Sequence, residues 1–287
     1  MLSDSEKQLQ SSLKHYKFVN TVLQLSQIYI KMDQPIKSLD ILNKASEENP
    51  YEIYYELYKA RLHEMIYNYD ISISLYKKIL DIDSCNFESI ACIGANYFYS
   101  DNPEVALKYY KRLFELGINS VEVWNNLGLC AFYAGQYDFC LSCFERALLL
   151  YSNFNCSSNN ENASNDEIVA DIWYNISHVA IGLGDLSFAY QSLKVSLQYN
   201  NHHFEAQNNL GVLELKKGNK KDACSNFKLS MKQTEYSFEP HYNYAISNYY
   251  FGKLEDALIS VKKALIIYPT HFDSIELQQT INKELIA

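Results

Sequence analysis

The sequence predicts an all-α fold: a right-handed superhelical solenoid of about seven helix–turn–helix repeats of 34 residues, closed by a helix at each end. Three observations carry this expectation. Glycine and proline number only nine and five, together about 5% of the chain where roughly 12% is average, which disfavours turn-rich β-sandwiches and glycine-looped nucleotide folds. Two segments, VEVWNNLGLCAFYAGQYDFCLSCFERAL and FEAQNNLGVLELKKGNKKDACSNFKLSM, share one register, so that Leu127, Gly128, Gly135, Cys140 and Phe144 match Leu210, Gly211, Gly218, Ala223 and Phe227. Stepping that register along the chain gives starts at Val19, Ile53, Phe87, Val121, Ala170, Phe204 and Phe238, 34 apart except for 49 between Val121 and Ala170.

Residues 1–18 read as a helical lead-in, and 19–271 hold the seven repeats. Within each repeat the first helix needs a small residue where the second crosses it: Ser26, Ala60, Gly94, Gly128, Ser177, Gly211 and Ala245. The second helix answers with Ser38, Ser72, Ala106, Cys140, Ala189, Ala223 and Ala257. Larger residues there would hold the axes beyond the usual 8–10 Å. Gly135, Gly184, Gly218 and Gly252 fall where the first helix stops and the backbone favours φ > 0. Asp33 before Pro35, and Asp101 before Pro103, read as capping carboxylates ahead of an early-helix proline. The extra residues between the fourth and fifth starts, near 153–167, are polar, Asn/Ser-rich and without periodicity, and read as a disordered surface loop. Residues 272–287 read as a capping helix that turns Ile275 and Ile281 onto the last repeat, because a terminal repeat would otherwise expose an apolar face.

Composition excludes several functions. A net charge of −9 argues against sequence-independent nucleic-acid binding, which needs a basic surface. No run approaches the ~18–20 apolar residues of a membrane span, so direct membrane insertion is not expected. The first residues lack an apolar secretory core. Seven cysteines, an odd number set mostly in apolar periodic segments, read as reduced thiols of a cytoplasmic protein. Cys140-x-x-Cys143 has no second pair at metal-ligand spacing, and Asn200-Asn201-His202-His203 reads as a turn and helix cap, so neither metal nor cofactor is expected. No nucleophile, base and acid form a triad and no glycine loop cradles phosphate, so the chain reads as non-enzymatic.

The pattern W-x-x-L-G, then A-x-x-x-F, is similar to the tetratricopeptide repeat, a 34-residue helical hairpin. Its first helices line a groove, and candidate partner-binding residues follow from the register. Position 6 carries Asn126, Asn175, Asn209 and Asn243; position 2, one helical turn earlier on the same face, carries Glu88, Glu122, Asp171, Glu205 and Glu239. The amides could pair with an extended peptide, and the acidic row favours basic partners. The competing reading is structural: both residue types are common in ordinary repeats, and a first-turn acid is stabilised by the helix dipole without any ligand. Aromatics recur near the end of the first helix; Tyr97 is expected in the core, while Tyr99 and Tyr133 are candidate groove anchors. Acids and amides stand where chaperone-tail clamps carry Lys and Arg, which argues against that role.

Three runs are more specific: ESIACIGANYFYSDNPEVALKYYKRLFELGI, WNNLGLCAFYAGQYDFCLSCFERAL and ADIWYNISHVAIGLGDLSFAYQSLKVSL. They resemble the tetratricopeptide repeat protein 8 family, also called Bardet–Biedl syndrome protein 8, including Ala91-Cys92-Ile93-Gly94, Phe98-Tyr99-Ser100-Asp101 and His178-Val179-Ala180. The resemblance implies a scaffold subunit of the BBSome, at the basal body and cilium. Its partners would be the other BBSome subunits and ciliary membrane-protein cargo, with membrane recruitment indirect, through a small Arf-like GTPase. Family members carry a substantial N-terminal part without counterpart in these residues. Two rivals differ in class: a groove adaptor binding a basic linear peptide, of the anaphase-promoting-complex or motor-adaptor type, and the repeat arm of an enzyme such as a glycosyltransferase.

Overall fold

The structure is a computed structural model that describes residues 2–15, 18–32, 34–157, 163–234 and 236–286, and among these every regular element is an α-helix. The chain divides into two compact units. The first, residues 1–140, holds α1 (Leu2–His15), α2 (Val19–Lys31), α3 (Pro35–Glu48), α4 (Ile53–Met65), α5 (Tyr69–Ile82), α6 (Phe87–Tyr99), α7 (Pro103–Glu115) and α8 (Val121–Tyr133). The division falls inside α9 (Tyr137–Ser157). The second unit, residues 141–287, holds α10 (Ala163–Gly182), α11 (Leu186–Tyr199), α12 (Phe204–Lys216), α13 (Lys220–Gln233), α14 (Glu239–Tyr250), α15 (Leu254–Ile267) and α16 (Phe272–Ile286). From α1 to α8, and from α10 to α16, each helix packs on the next in sequence.

The turn inside each repeat is the same device used seven times. The backbone N–H five positions on donates to a carbonyl in the last turn of the first helix: Gln34 to Tyr29, Asn68 to His63, Asn102 to Tyr97, Gln136 to Ala131, Asp185 to Ala180, Asn219 to Glu214 and Lys253 to Asn248, all at 2.8–2.9 Å. That bond closes a Schellman turn, which requires one residue with φ > 0. Gly135, Gly184, Gly218 and Gly252 supply it, with φ of 72–85°. Tyr67 and Asp101 occupy the same place at φ 60°. Asp101 is therefore not the cap of α7. Asn102 is the N-cap, without a side-chain bond to the helix, because the chain spends residue 101 on the left-handed turn. Asp33 lies outside the described residues.

Other helix starts use side chains as the sequence chemistry allows. Asn86 accepts from Ser89 N at 2.9 Å, Ser120 from Val123 N at 3.3 Å, and Asp185 from Phe188 N at 2.9 Å. The small residues of both helices are buried at the crossings. Ser26 and Ser38 meet there, their hydroxyls 2.7 Å apart, and the Ser38 hydroxyl also donates to the Ser26 carbonyl, so the polar atoms are satisfied without separating the axes. Core clusters bridge successive hairpins: Tyr55 and Leu62 of α4 pack with Val22, Leu23 and Leu42, and Ala206, Leu210 and Leu213 of α12 with Ala180, Ala189 and Leu193.

Two features depart from the sequence expectation. The described flanks of the 153–167 segment are helical, since α9 runs to Ser157 and α10 starts at Ala163. Asn and Ser cost a formed helix only a few tenths of a kcal/mol each, and Tyr151 donates to Asp166 at 2.5 Å, tying the two extensions together. Residues 158–162 lie outside the described residues. At the other end, α16 buries Leu277 and Ile281 against α14 and α15, while Ile275 is only half-buried. At α1, Gln10 and Glu6 both bond the Tyr29 hydroxyl of α2, at 2.9 and 3.1 Å.

Candidate functional site

In the first unit, the candidate residues have unequal surroundings. Glu88 forms an ion pair with Arg61, whose guanidinium also lies over the Tyr58 ring at 5.3 Å, so this acid carries an internal counter-charge. Glu122 is exposed in the first turn of α8, and Asn126, half-buried, is hydrogen-bonded to Tyr110. Burial pushes the Tyr110 phenol above its usual range. Tyr99 and Tyr133 are 72% and 64% exposed, and the Phe98 ring bridges them, 5.6 Å from one and 5.3 Å from the other. Tyr97 is half-buried, stacked on Tyr109 at 5.7 Å. One helix end thus sends Tyr97 inward and Tyr99 to solvent, with Phe98 between.

In the second unit, the amide row is linked sideways. Asn243 donates to Asn208 at 3.0 Å, Asn208 to Asn209 at 3.4 Å, and Asn209 Nδ2 lies 3.3 Å from His178 Nε2. Burial holds His178 below the ordinary imidazole range, so its neutral ring accepts that bond. Asn175 is half-buried on α10. The chain of amides joins α10, α12 and α14 at sequence separations of 31 and 35 residues, which fixes these side chains before any ligand arrives. Asn208 and His178 were not among the sequence candidates. Position 5 of a repeat gives no local sign that its amide reaches a neighbouring hairpin.

His203 is the other participant the register did not single out for binding. It caps α12, with Nδ1 3.3 Å from Ala206 N, and is buried against the Tyr174 ring at 4.8 Å. Its Nε2 lies 3.3 Å from Asp171 and its Nδ1 3.1 Å from Glu205. Burial opposes charge on the ring, but hydrogen bonding and attraction from Asp171 and Glu205 outweigh it and raise the group to about 9. Nδ1 cannot both accept from Ala206 and donate to Glu205. In this one ring position the charged form pairs with the carboxylates, and the neutral form with a bare Nδ1 caps the helix. Two of the five candidate acids are therefore partners of an internal histidine, and Asp171 is not in a first turn as the register implied, because α10 already begins at Ala163. Glu239 accepts from Ser237 at 2.5 Å.

Beside this network the second unit has a cavity of about 500 Å³ between α10, the start of α12 and the segment leading into α14. Glu205 and Glu239 stand at its wall with Asn208 and Asn209. Cys140 and Cys143 are fully buried, as packing residues are. Among the described residues no group of three or more His, Cys, Asp or Glu side chains could hold a metal ion, and no helix is long and apolar enough to cross a membrane.

The profile of the family described as tetratricopeptide repeat matches residues 121–154. The chain is 39% identical to tetratricopeptide repeat protein 8 of Mus musculus over 277 residues, 96% of this chain and 52% of that protein. It is 37% identical to the Caenorhabditis elegans protein of that name over 225 residues, 78% of this chain and 42% of that one. The chain thus spans about half the length of the curated relatives it matches. A weaker similarity, 26% over 143 residues, half of this chain and 28% of the other, relates it to BBSome complex member BBS4 of Bos taurus. Among solved structures, a tetratricopeptide repeat protein from Parabacteroides merdae superposes with a TM-score of 0.69 at 12% identity, covering 91% of this chain and 98% of that one. The Cut9–Hcn1 hetero-tetramer of the APC/C gives 0.68 at 11% identity, covering 98% and 52%. At such identities these two structures speak to the fold alone.

Proposed function

We propose, from the premise that this chain is a tetratricopeptide-repeat protein homologous to tetratricopeptide repeat protein 8, that it is a non-catalytic scaffold subunit of a BBSome-type complex in ciliary membrane-protein trafficking. The observation that carries this reading is 39% identity sustained over 96% of the chain, whereas the two solved repeat structures that superpose on it are only 11% and 12% identical. Repeat arrays suit the role physically, because each hairpin contacts only its neighbours and leaves long faces for several partners. A net charge of −9 opposes direct docking on anionic membrane surfaces. In this reading the membrane is reached through partners, a small Arf-like GTPase among them, and the site of action is the basal body and cilium.

The test is affinity purification of the tagged protein from its own cells at physiological salt, with mass spectrometry of what is retained. Bardet–Biedl subunits in amounts near those of the bait are expected. Their absence beside a well-recovered bait refutes the reading.

A second reading, an adaptor for a basic linear peptide, is favoured by the exposed Tyr99 and Tyr133 and by Glu122 and Glu239, exposed in the first turns of α8 and α14. It requires that Asn175→Ala with Asn209→Ala abolish binding of such a peptide, and unchanged affinity in that double variant removes it.

A further inference from the structure

The cavity in the second unit combines features that the amide and acid rows alone do not explain. Four aromatic side chains stand at its wall: Tyr174 from α10, Phe204 from α12, and Tyr236 and Phe238 from the segment entering α14. Two carboxylates, Glu205 and Glu239, and two amides, Asn208 and Asn209, complete the polar part of the lining, and no lysine or arginine is among the described lining residues. A volume of about 500 Å³ lies within the range that encloses a small organic group. Aromatic faces attract a cation within ~6 Å of the ring centre, and more strongly when it is partly desolvated.

The charge balance favours a cation. The starts of α12 and α14 each bring roughly half a positive charge, and His203, when protonated, adds one. Glu205, Glu239 and Asp171 supply three negative charges against these. The surplus is about one negative charge, facing a wall of rings.

We propose that this cavity receives the guanidinium of an arginine side chain from a partner protein. The guanidinium fits better than an ammonium for three reasons. Its planar face stacks on aromatic rings, its five donors lie in one plane and can reach carboxylate and amide oxygens together, and it loses less hydration on entry. The lining supplies groups for that list: the rings of Tyr174, Phe204, Tyr236 and Phe238, and acceptor oxygens of Glu205, Glu239, Asn208 and Asn209. Tyr236 is 88% exposed, so its ring is left uncovered by the chain's own packing. The inference rests on the scaffold reading only for the source of the arginine; the chemistry of the cavity is independent of which complex the chain joins.

The experiment is a titration of the intact chain with N-acetyl-arginine amide, followed by nitrogen–proton correlation spectra. N-acetyl-citrulline amide, of the same shape but uncharged, N-acetyl-lysine amide and inorganic phosphate serve as comparison probes. Saturable shifts of the Asn208 and Asn209 side-chain amides and of the Tyr236 backbone amide are expected with the arginine probe. Citrulline is expected to bind at least about tenfold more weakly, as is the Glu205→Gln, Glu239→Gln double variant toward arginine. Tyr236→Ala, which removes an exposed ring and leaves the core intact, is expected to weaken binding about threefold or more. Equal binding of citrulline, equal or tighter binding of lysine, saturation by phosphate in place of arginine, or full arginine affinity in the double variant overturns the proposal. The result is separable from the subunit purification: a failed titration leaves the complex standing, and a failed purification leaves the cavity's preference measured.

Discussion

Replacing Gly211 by alanine puts a methyl group where the structure has no room. A Cβ built there lies 2.7, 2.8 and 3.1 Å from Cε1, Cδ1 and Cζ of Phe227. Relief to ordinary contact needs a displacement of about 0.7 Å. The ring is fully buried and cannot swing into solvent. Overpacking of this kind costs about 1–3 kcal/mol, while alanine in a helix gains about 1 kcal/mol over glycine. The net expectation for Gly211→Ala is a loss of about 1 kcal/mol. In a Phe227→Leu background the obstacle is gone and only the helical gain remains, so the same substitution turns stabilising by about 1 kcal/mol. The coupling between the two sites is the decisive quantity, about 2 kcal/mol. Urea unfolding followed by circular dichroism gives the global effect. Hydrogen exchange of amides in α12 and α13 reads the local one, since neighbouring hairpins of a repeat array need not unfold together. Gly94→Ala is the internal comparison: its nearest ring atoms, on Tyr110, are 3.2 Å away, a squeeze of a few tenths of an ångström, and the change is expected to be neutral within about 0.5 kcal/mol. Stabilisation by Gly211→Ala with Phe227 present, or the same change in both backgrounds, refutes the packing argument.

Four further outcomes follow from the turns, the histidine network and a buried amide. Tyr67 holds φ 60° where other repeats place glycine, so Tyr67→Gly is expected to raise stability by about 0.5–1 kcal/mol, net of the glycine's own entropy. Gly218→Ala, at φ 85° in open space, is expected to lower it by about 1 kcal/mol, and a thermal melt of each variant checks both signs. His203 has its folded pKa raised to about 9 from an ordinary 6.5, so its ion pairing stabilises the fold fully below about 6.5 and is lost as pH rises through about 9; an imidazole NMR titration should show this ring charging at a higher pH than His178, and Asp171→Asn with Glu205→Gln should bring it down. A His203 midpoint unmoved by that double variant contradicts the assignment of cause. Asn96 is buried and donates to Glu64 at 2.8 Å and to Ser72 at 3.1 Å; Asn96→Ala removes a donor from each, a loss of about 1–3 kcal/mol of unfolding free energy that urea denaturation reads.

The architecture was legible because it repeats. A small residue at Ser26, Ala60, Gly94, Gly128, Ser177, Gly211 and Ala245 is a local requirement of helix crossing, and a periodic one, so spacing alone reveals it. Gly218 was readable for the same reason, yet Asp101 was not, because a capping residue and a left-handed turn residue can both be aspartate. The helical flanks of the 153–167 segment were hidden by their polar composition; what settles them is a pairing, Tyr151 with Asp166, that composition does not contain. The site was less legible than the fold. Asn209 and Asn243 stand out in the register, but their partners His178 and Asn208 lie in neighbouring hairpins. Glu88, Asp171 and Glu205 look alike as first-turn acids, and only tertiary placement separates the one beside Arg61 from the two beside His203.

The central claim is that this chain works as one subunit of a larger assembly. Native mass spectrometry of the endogenous complex, captured through the tagged chain at physiological salt, tests it most directly. The account predicts a particle several times heavier than the 33.3 kDa chain, containing one copy of it with Bardet–Biedl-type subunits in fixed ratio. A particle of the chain's own mass, or a self-assembly without those subunits, would contradict it.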